Sequence, residues 1–187
     1  MVSNEEISVN KRNGRGKESL QIDKIHAMVG FATEGITGVS ASHVEMNSGI
    51  QLFDGISTAD IQQILIKSAN DLITLESPNY QYVAARLLLF SLRKQLFHRL
   101  WDHPKLIDHI KKLIDMGLYD KDILVNYDES EIDRMNMWID HERDYNFTYA
   151  GLRQVMDKYL VQDRSTGDIF ETPQFMYMMI SATLFAQ

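Results

Sequence analysis

Cysteine is absent from all 187 residues. No disulfide framework, thiolate zinc site or sulfur nucleophile is therefore available within the chain. Proline occurs 3 times and glycine 10 times, as scattered punctuation, which excludes collagen-like and low-complexity classes. Basic charge is in deficit. The 19 Lys and Arg residues against 26 Asp and Glu leave a net charge of -7, which opposes attraction to a phosphate backbone, so nucleic acid is not an expected partner. A long hydrophobic run is missing too: Phe175 to Ala186, the most apolar stretch, spans only about 18 Å as a helix, short of a bilayer core, and no membrane partner is expected. Glu5 and Glu6 stand where a secretory signal would carry basic residues, so a cytoplasmic setting is expected.

What remains is an ordinary soluble composition, 44% apolar and 24% charged, in a chain long enough for two small units. Ile7 and Val9, then Leu20 and Ile22, alternate on either side of Asn13-Gly14 and Gly16, which predicts a β-hairpin with a glycine-rich tip. From Asp23, read as an N-cap, Ile25, Met28, Val29 and Ala32 share a helical face that stops at Gly35. A weaker helix is expected over Ser42 to Met46. Ser57 or Thr58 caps a strong helix through Ile61, Leu65, Ala69 and Leu72, and another long helix runs through Val83, Leu87, Phe90 and Phe97. The pattern breaks near Trp101 to Pro104. Helices then follow through Leu106 to Ile114, near Ile123, over Ser130 to Arg143 and over Ala150 to Tyr159, with a small hairpin pairing Tyr159–Val161 with Ile169–Glu171. The expected class is mainly α (α+β): a helical bundle capped by a small β-sheet over residues 1–100, then a second helical domain over 101–187.

Lys11, Arg12, Arg15, Lys17 and Lys24 gather around the first hairpin of an acidic chain. Cations beside exposed backbone amides suit a polyphosphate, although a solvated surface hairpin is the commoner arrangement for such residues. Gly14-Arg15-Gly16 begins a dinucleotide fingerprint, but Ser19 stands where its third glycine belongs, and there is no P-loop string. Asp140, His141, Glu142 and Asp144 are potential metal ligands by type, but adjacent helical residues point to different faces, so a solvated or salt-bridged helix end is expected. His26, His43, His98, His103 and His109 stand without a nucleophile or base at a telling spacing. Met176, Met178 and Met179 read as core packing.

The order of residues carries more than their charge. Val9-Asn-Lys-Arg-Asn-Gly14, then Asp23-Lys24-Ile25, then Asp54-Gly-Ile-Ser-Thr58 with Asp60-Ile61, closely resemble the ATP-cone, a regulatory module in which a few strands lid a helical bundle that binds ATP or dATP. The resemblance runs from about Ser8 to Leu96. It implies that Lys11 and Arg12 meet phosphates and that Glu18, Ser19, Leu20, Gln21, Ile22, Asp23 and Lys24 edge the nucleotide. Ile25 and Ile61 would flank base or ribose, and Thr58 and Lys94 would complete a phosphate end shared with Mg²⁺. The second half, through Asp140-His-Glu-Arg-Asp144, Phe147-Thr-Tyr149, Lys158-Tyr-Leu-Val161 and Glu171-Thr-Pro-Gln-Phe-Met176, resembles the N-terminal helical domain of the class I ribonucleotide reductase large subunit.

That resemblance implies an allosteric part of an enzyme whose cysteine radical chemistry occurs in a barrel downstream of the matched segments. With no Cys, this chain alone is expected to be inactive. The implied partners are the barrel-containing remainder of the large subunit and a radical-generating small subunit, within an oligomer. Such a chain is expected to be the product of a split gene or a piece of a longer protein. The stripe Phe175, Met179, Ala182, Phe185 is expected to be covered by a complementing polypeptide. Gln62 and Ser91 stand where bacterial class I cones commonly have His, which bears on dATP discrimination. Two other classes are a free-standing regulator, whose known examples carry a cysteine zinc ribbon and a basic DNA face lacking here, and an adaptor whose cone has lost its ligand.

Overall fold

The computed structural model describes residues 8–10, 16–49, 54–98 and 101–186. Lys11, Arg12 and Arg15 lie outside them. The described chain is mostly helical with one three-stranded sheet, and it divides into two compact units: Met1–Ser91 with Phe147–Ala150, and Leu92–Asn146 with Gly151–Gln187.

In the first unit, β1 (Ser8–Asn10) is the middle strand of the order β2-β1-β3. It pairs antiparallel with β2 (Lys17–Ser19) and parallel with β3 (Ile56–Ser57), in a register that sets Val9 beside Ile56 and Asn10 beside Ser57. The expected second strand thus sits earlier than Leu20 and Ile22, and Ile22 instead starts a helix. Asp54 Oδ1 accepts both the Ser8 backbone N–H at 2.7 Å and its hydroxyl at 2.8 Å, and Asn10 Nδ2 donates to the Gly55 carbonyl at 2.6 Å. Gly55 has φ +79, the left-handed region where a side chain would be strained.

Among the described residues of this unit the helices are α1 (Ile22–Thr33), α2 (Ala41–Gly49), α3 (Thr58–Asp71) and, up to Ser91, α4 (Tyr80–Phe97). The N-cap of α1 is Gln21, without a side-chain bond, because the helix begins one residue ahead of Asp23; that carboxylate favours the first turn through the helix dipole instead. Gly35, at φ +70, follows the helix end as expected. Ile25, Val29 and Ala32 of α1 are buried, as are Ile61, Leu65 and Ala69 of α3 and Val9 and Ile56 of the sheet. Ser57 is the α3 cap, accepting the Asp60 N–H at 3.0 Å. Ser57→Ala should cost about 1 kcal/mol, read as a lower denaturant midpoint; an unchanged midpoint would show that Asp60 or solvent replaces the cap.

The second unit is built on α5 (Leu106–Asp115), α6 (Ile123–Asn126), α7 (Glu129–Trp138), a 3-10 turn at His141–Asn146, α8 (Tyr149–Lys158) from Gly151 onward, and α9 (Pro173–Leu184). Asp128 and Glu131 close a reciprocal capping box on α7. Thr172 caps α9 with Pro173 in its first turn. The expected hairpin reduces to a bridge between Gln162 and Ile169, closed by the turn Asp163–Asp168. Leu106, Ile110, Ile132, Phe175 and Ala182 make a common core. Two members of the stripe expected to await a partner, Phe175 and Ala182, are therefore internal, and Met179 packs against them; only Phe185, 77% exposed, stands out. The exposed apolar residues of this end are Tyr177, Ile180, Leu184 and Phe185.

Candidate nucleotide site and a buried polar cluster

Among the described residues, the cations expected near a polyphosphate in the first unit are Lys17 on β2 and Lys24 in the first turn of α1. Because β1 and β3 run parallel, the chain leaves Asn10 beside Ser57, the cap of α3, whose N-terminus carries positive dipole charge. Thr58, the first residue of α3, is half-buried at this end. Lys17 lies opposite Asn10 on β2, and the Lys24 ammonium is 3.8 Å from Glu18 while remaining largely exposed. The Asp54 carboxyl is held below its ordinary range, first by the Ser8 N–H, then by the Ser8 hydroxyl and the charge of Lys17. Its negative charge is thus spent on holding β1 in register.

The remaining sequence-predicted residues are distributed unevenly. Ser19, Gln21, Ile22 and Asp23 are exposed, and Glu18 and Leu20 are half-buried, so this stretch forms a continuous outer edge. Ile25 and Ile61 lie mostly in the core, with 9% and 5% exposure. Lys94 falls on α4 beyond Ser91, half-buried and directly after a buried arginine. Gln62 is buried, its amide directed to the Leu87 carbonyl at 3.5 Å and the Met28 sulfur at 3.6 Å; Ser91 is buried as well.

The second unit holds a cluster that sequence reasoning missed. Arg93, buried on α4, donates to the Tyr145 hydroxyl at 2.9 Å and the His141 carbonyl at 2.5 Å, and lies 3.9 Å from Asp144. Its guanidinium carbon sits 5.0 Å from the centre of the Tyr145 ring, within cation–π range. Asp144 accepts from Gln174 at 2.8 Å through one oxygen, and its other oxygen is buried without a hydrogen bond. Burial dominates here and raises its pKa to about 6, although Gln174 and Arg93 pull the other way.

Three imidazoles border that cluster. His103 stacks on His141 at 3.8 Å, His109 stacks on Phe175 at 4.3 Å, and Phe97 meets His103 and His109 edge-on. His103 Nε2, His109 Nε2 and His141 Nδ1 are buried without hydrogen-bond partners. Desolvation is the largest cause lowering their pKa values to about 4, 4 and 3, with Arg93 adding to the shift at His103 and His141. Of the solvated or salt-bridged helix end expected around Asp140–Asp144, the salt-bridged form is present, with Asp140 3.6 Å from Arg143 and Asp144 3.9 Å from Arg93, and Asp144 is buried rather than solvated. A run of charges is exposed only when no counter-helix covers it, and here α4 and α9 supply Arg93 and Gln174.

Comparison with known proteins divides the chain in the same order as its motifs. Residues 7–95 match the family model described as ATP cone domain, and residues 145–187 match that described as ribonucleotide reductase, all-alpha domain. The chain is 47% identical over 184 residues to the ribonucleoside-diphosphate reductase subunit alpha of Haemophilus influenzae, covering 98% of this chain and 24% of that protein. It is 46% identical over 183 residues to ribonucleoside-diphosphate reductase 1 subunit alpha of Escherichia coli, covering 98% and 24% respectively. With the subunit alpha of phage T4 it shares 43% identity over 178 residues, or 95% of this chain and 23% of the relative. The chain thus spans about a quarter of the length of these relatives.

Proposed function

As the chain belongs to the ribonucleotide reductase large-subunit family, carrying an ATP cone and sequence of the all-alpha domain, we propose that it is the nucleotide-sensing portion of a ribonucleoside-diphosphate reductase. It binds ATP as an activator and dATP as an inhibitor, with Mg²⁺ on the phosphates. Catalysis takes place in a cysteine-containing barrel supplied by other polypeptide of the large subunit, working with a radical-generating small subunit, in a cytoplasmic assembly.

The observation that carries this reading is the parallel β1–β3 register. It delivers the chain at Asn10 to the N-terminus of α3, immediately before Lys11-Arg12 in sequence. Cations that follow a strand ending beside a helix N-terminus are matched to a polyphosphate, because fixed dipoles and mobile side-chain charges then act on the same anion. Lys11 and Arg12 serve the phosphates with Thr58 and Lys94, and all four fall within the residues matched by the cone model. The exposed edge from Glu18 to Lys24 borders the nucleotide. Regulation requires only that ATP and dATP bind two states of the assembly with different affinities.

Calorimetry with ATP and dATP tests the reading directly. Both nucleotides should release heat, and Lys11→Ala or Lys94→Ala should weaken binding by roughly 1.5–3 kcal/mol, the scale of hydrogen bonds to charged groups. Unchanged affinity in both variants would place the site elsewhere. No heat from either nucleotide on folded protein would favour a second reading, an adaptor with a silent cone, which the burial of Gln62 in the core favours by withdrawing its amide from any ligand.

A further inference from the structure

We propose that a groove in the second unit is the docking surface for the part of the reductase large subunit that lies outside this chain. The groove accepts an apolar segment flanked by basic side chains. This rests on the reading above, since it takes the chain to be one portion of a larger reductase.

The groove encloses about 600 Å³. Tyr159 and Val161 line it together with Met176, Ile180 and Leu184 of α9. Its polar floor is already satisfied: the Tyr119 hydroxyl donates to Glu171, whose other oxygen accepts the Val161 N–H at 2.7 Å. An occupant therefore needs no polar group there, and burying apolar surface is what it gains. Exposure agrees with that, because Tyr159 is 60% exposed, Ile180 47% and Leu184 71%, beside the exposed Tyr177 and Phe185. Contiguous apolar surface of this kind marks an interface.

Charge and length identify the occupant. Asp120 and Asp122 stand exposed at the rim, and one oxygen of Asp120 holds the Asp122 N–H at 3.0 Å, so the open side of the groove is acidic and complements Lys or Arg. The five groove residues from Tyr159 to Leu184 all belong to the segment matched by the reductase all-alpha model. In the relatives that segment shares one polypeptide with the larger part of their length, which has no counterpart here.

The test is co-expression of the chain with the unmatched portion of the Haemophilus influenzae or Escherichia coli relative, followed by affinity capture and titration. The unchanged chain should retain at least one of the two portions. Ile180→Asp and Leu184→Asp should each weaken capture by roughly 30-fold or more, because a carboxylate then enters an apolar contact. Met137→Asp, an exposed change on α7 outside the groove, should leave it unchanged. Failure of both portions to bind, or binding indifferent to both groove variants, overturns the proposal. So does self-association of the chain that either groove variant abolishes without altering capture. Titration of ATP into the same variants separates the two readings: ATP binding with groove-independent capture removes the docking surface alone, and groove-dependent capture without ATP binding removes the nucleotide reading alone.

Discussion

An Arg93→Ala variant is expected to lose about 3–5 kcal/mol of stability in the second unit, the cost of leaving a buried charge without its partner. The side chain is enclosed on α4, and it serves the Tyr145 hydroxyl, the His141 carbonyl and the Asp144 carboxylate at once. Truncation removes the Arg93 hydrogen bond to the Tyr145 hydroxyl and the His141 carbonyl and leaves the buried Asp144 carboxylate without its countercharge. Lysine should restore only part of the loss, because a point charge cannot reproduce the planar fork that reaches two acceptors. The loss should also depend on pH. Asp144 already protonates near pH 6 with the arginine present, and without that neighbouring charge its pKa rises further. The variant can therefore neutralise the stranded carboxyl in mild acid, and the destabilisation should be smaller at pH 5 than at pH 8. Urea midpoints of parent and variant at the two pH values decide the matter: equal losses at both would show that the Arg93–Asp144 attraction contributes nothing.

Acid should unfold this unit early. His103, His109 and His141 have folded pKa values near 4, 4 and 3 against an ordinary 6.5, so the folded state holds them neutral while the unfolded chain binds protons. Stability from this source is complete above pH 6.5 and is lost as pH falls through 6.5 toward 4. Asp144 and Glu171 act in the opposite sense, because a raised carboxyl pKa favours the fold most at low pH. Three imidazoles with large shifts outweigh the two carboxyls. After discounting His103 for solvent screening, a net loss of roughly a few kcal/mol is expected across that interval. This is a large fraction of the whole stability of a small domain. Denaturant midpoints measured at pH 7, 5.5 and 4.5 should fall steeply, and His109→Gln should flatten the profile. A flat profile for the parent would mean that water or a rearranged ring satisfies the orphaned nitrogens.

Most of the helices were readable because each is fixed by nearby residues, but the one expected over Ser130 to Arg143 ends at Trp138 and gives way to a 3-10 turn at His141–Asn146. Ser57 announces α3 through a bond three residues away, and Ile61, Leu65 and Ala69 fall on one face by helical period alone. Strand β3 was not readable. Its two residues carry no alternation, and its pairing is decided by β1, which lies 46 residues earlier along the Ser8–Asp54 bond. The same limit hid the buried cluster: Arg93 looks like any arginine on a long helix, and its partners at 141, 144, 145 and 174 become visible only when distant segments pack. For α9 the periodic stripe was real but its direction was not readable, since Phe175 and Ala182 turn inward and Ile180 and Leu184 turn outward on a helix that is apolar nearly all round. The cone itself was legible as an ordered motif, whereas the β1–β3 register that relates Asn10 to the cap of α3 needed three dimensions.

The β1–β3 pairing also has a bearing on how the protein forms. A parallel pair cannot zip from a tight turn, so β1 must wait until α1 and α2 have collapsed the intervening chain before its few hydrogen bonds repay the entropy of closing so long a loop. The β1–β3 pairing therefore belongs to the latest steps of folding, and by the same reasoning to the first regions to open, as long-range contacts do in domains of higher contact order. A nucleotide held beside that pairing would act on the opening equilibrium, slowing amide exchange at Val9 and Ile56 well before it altered the helices.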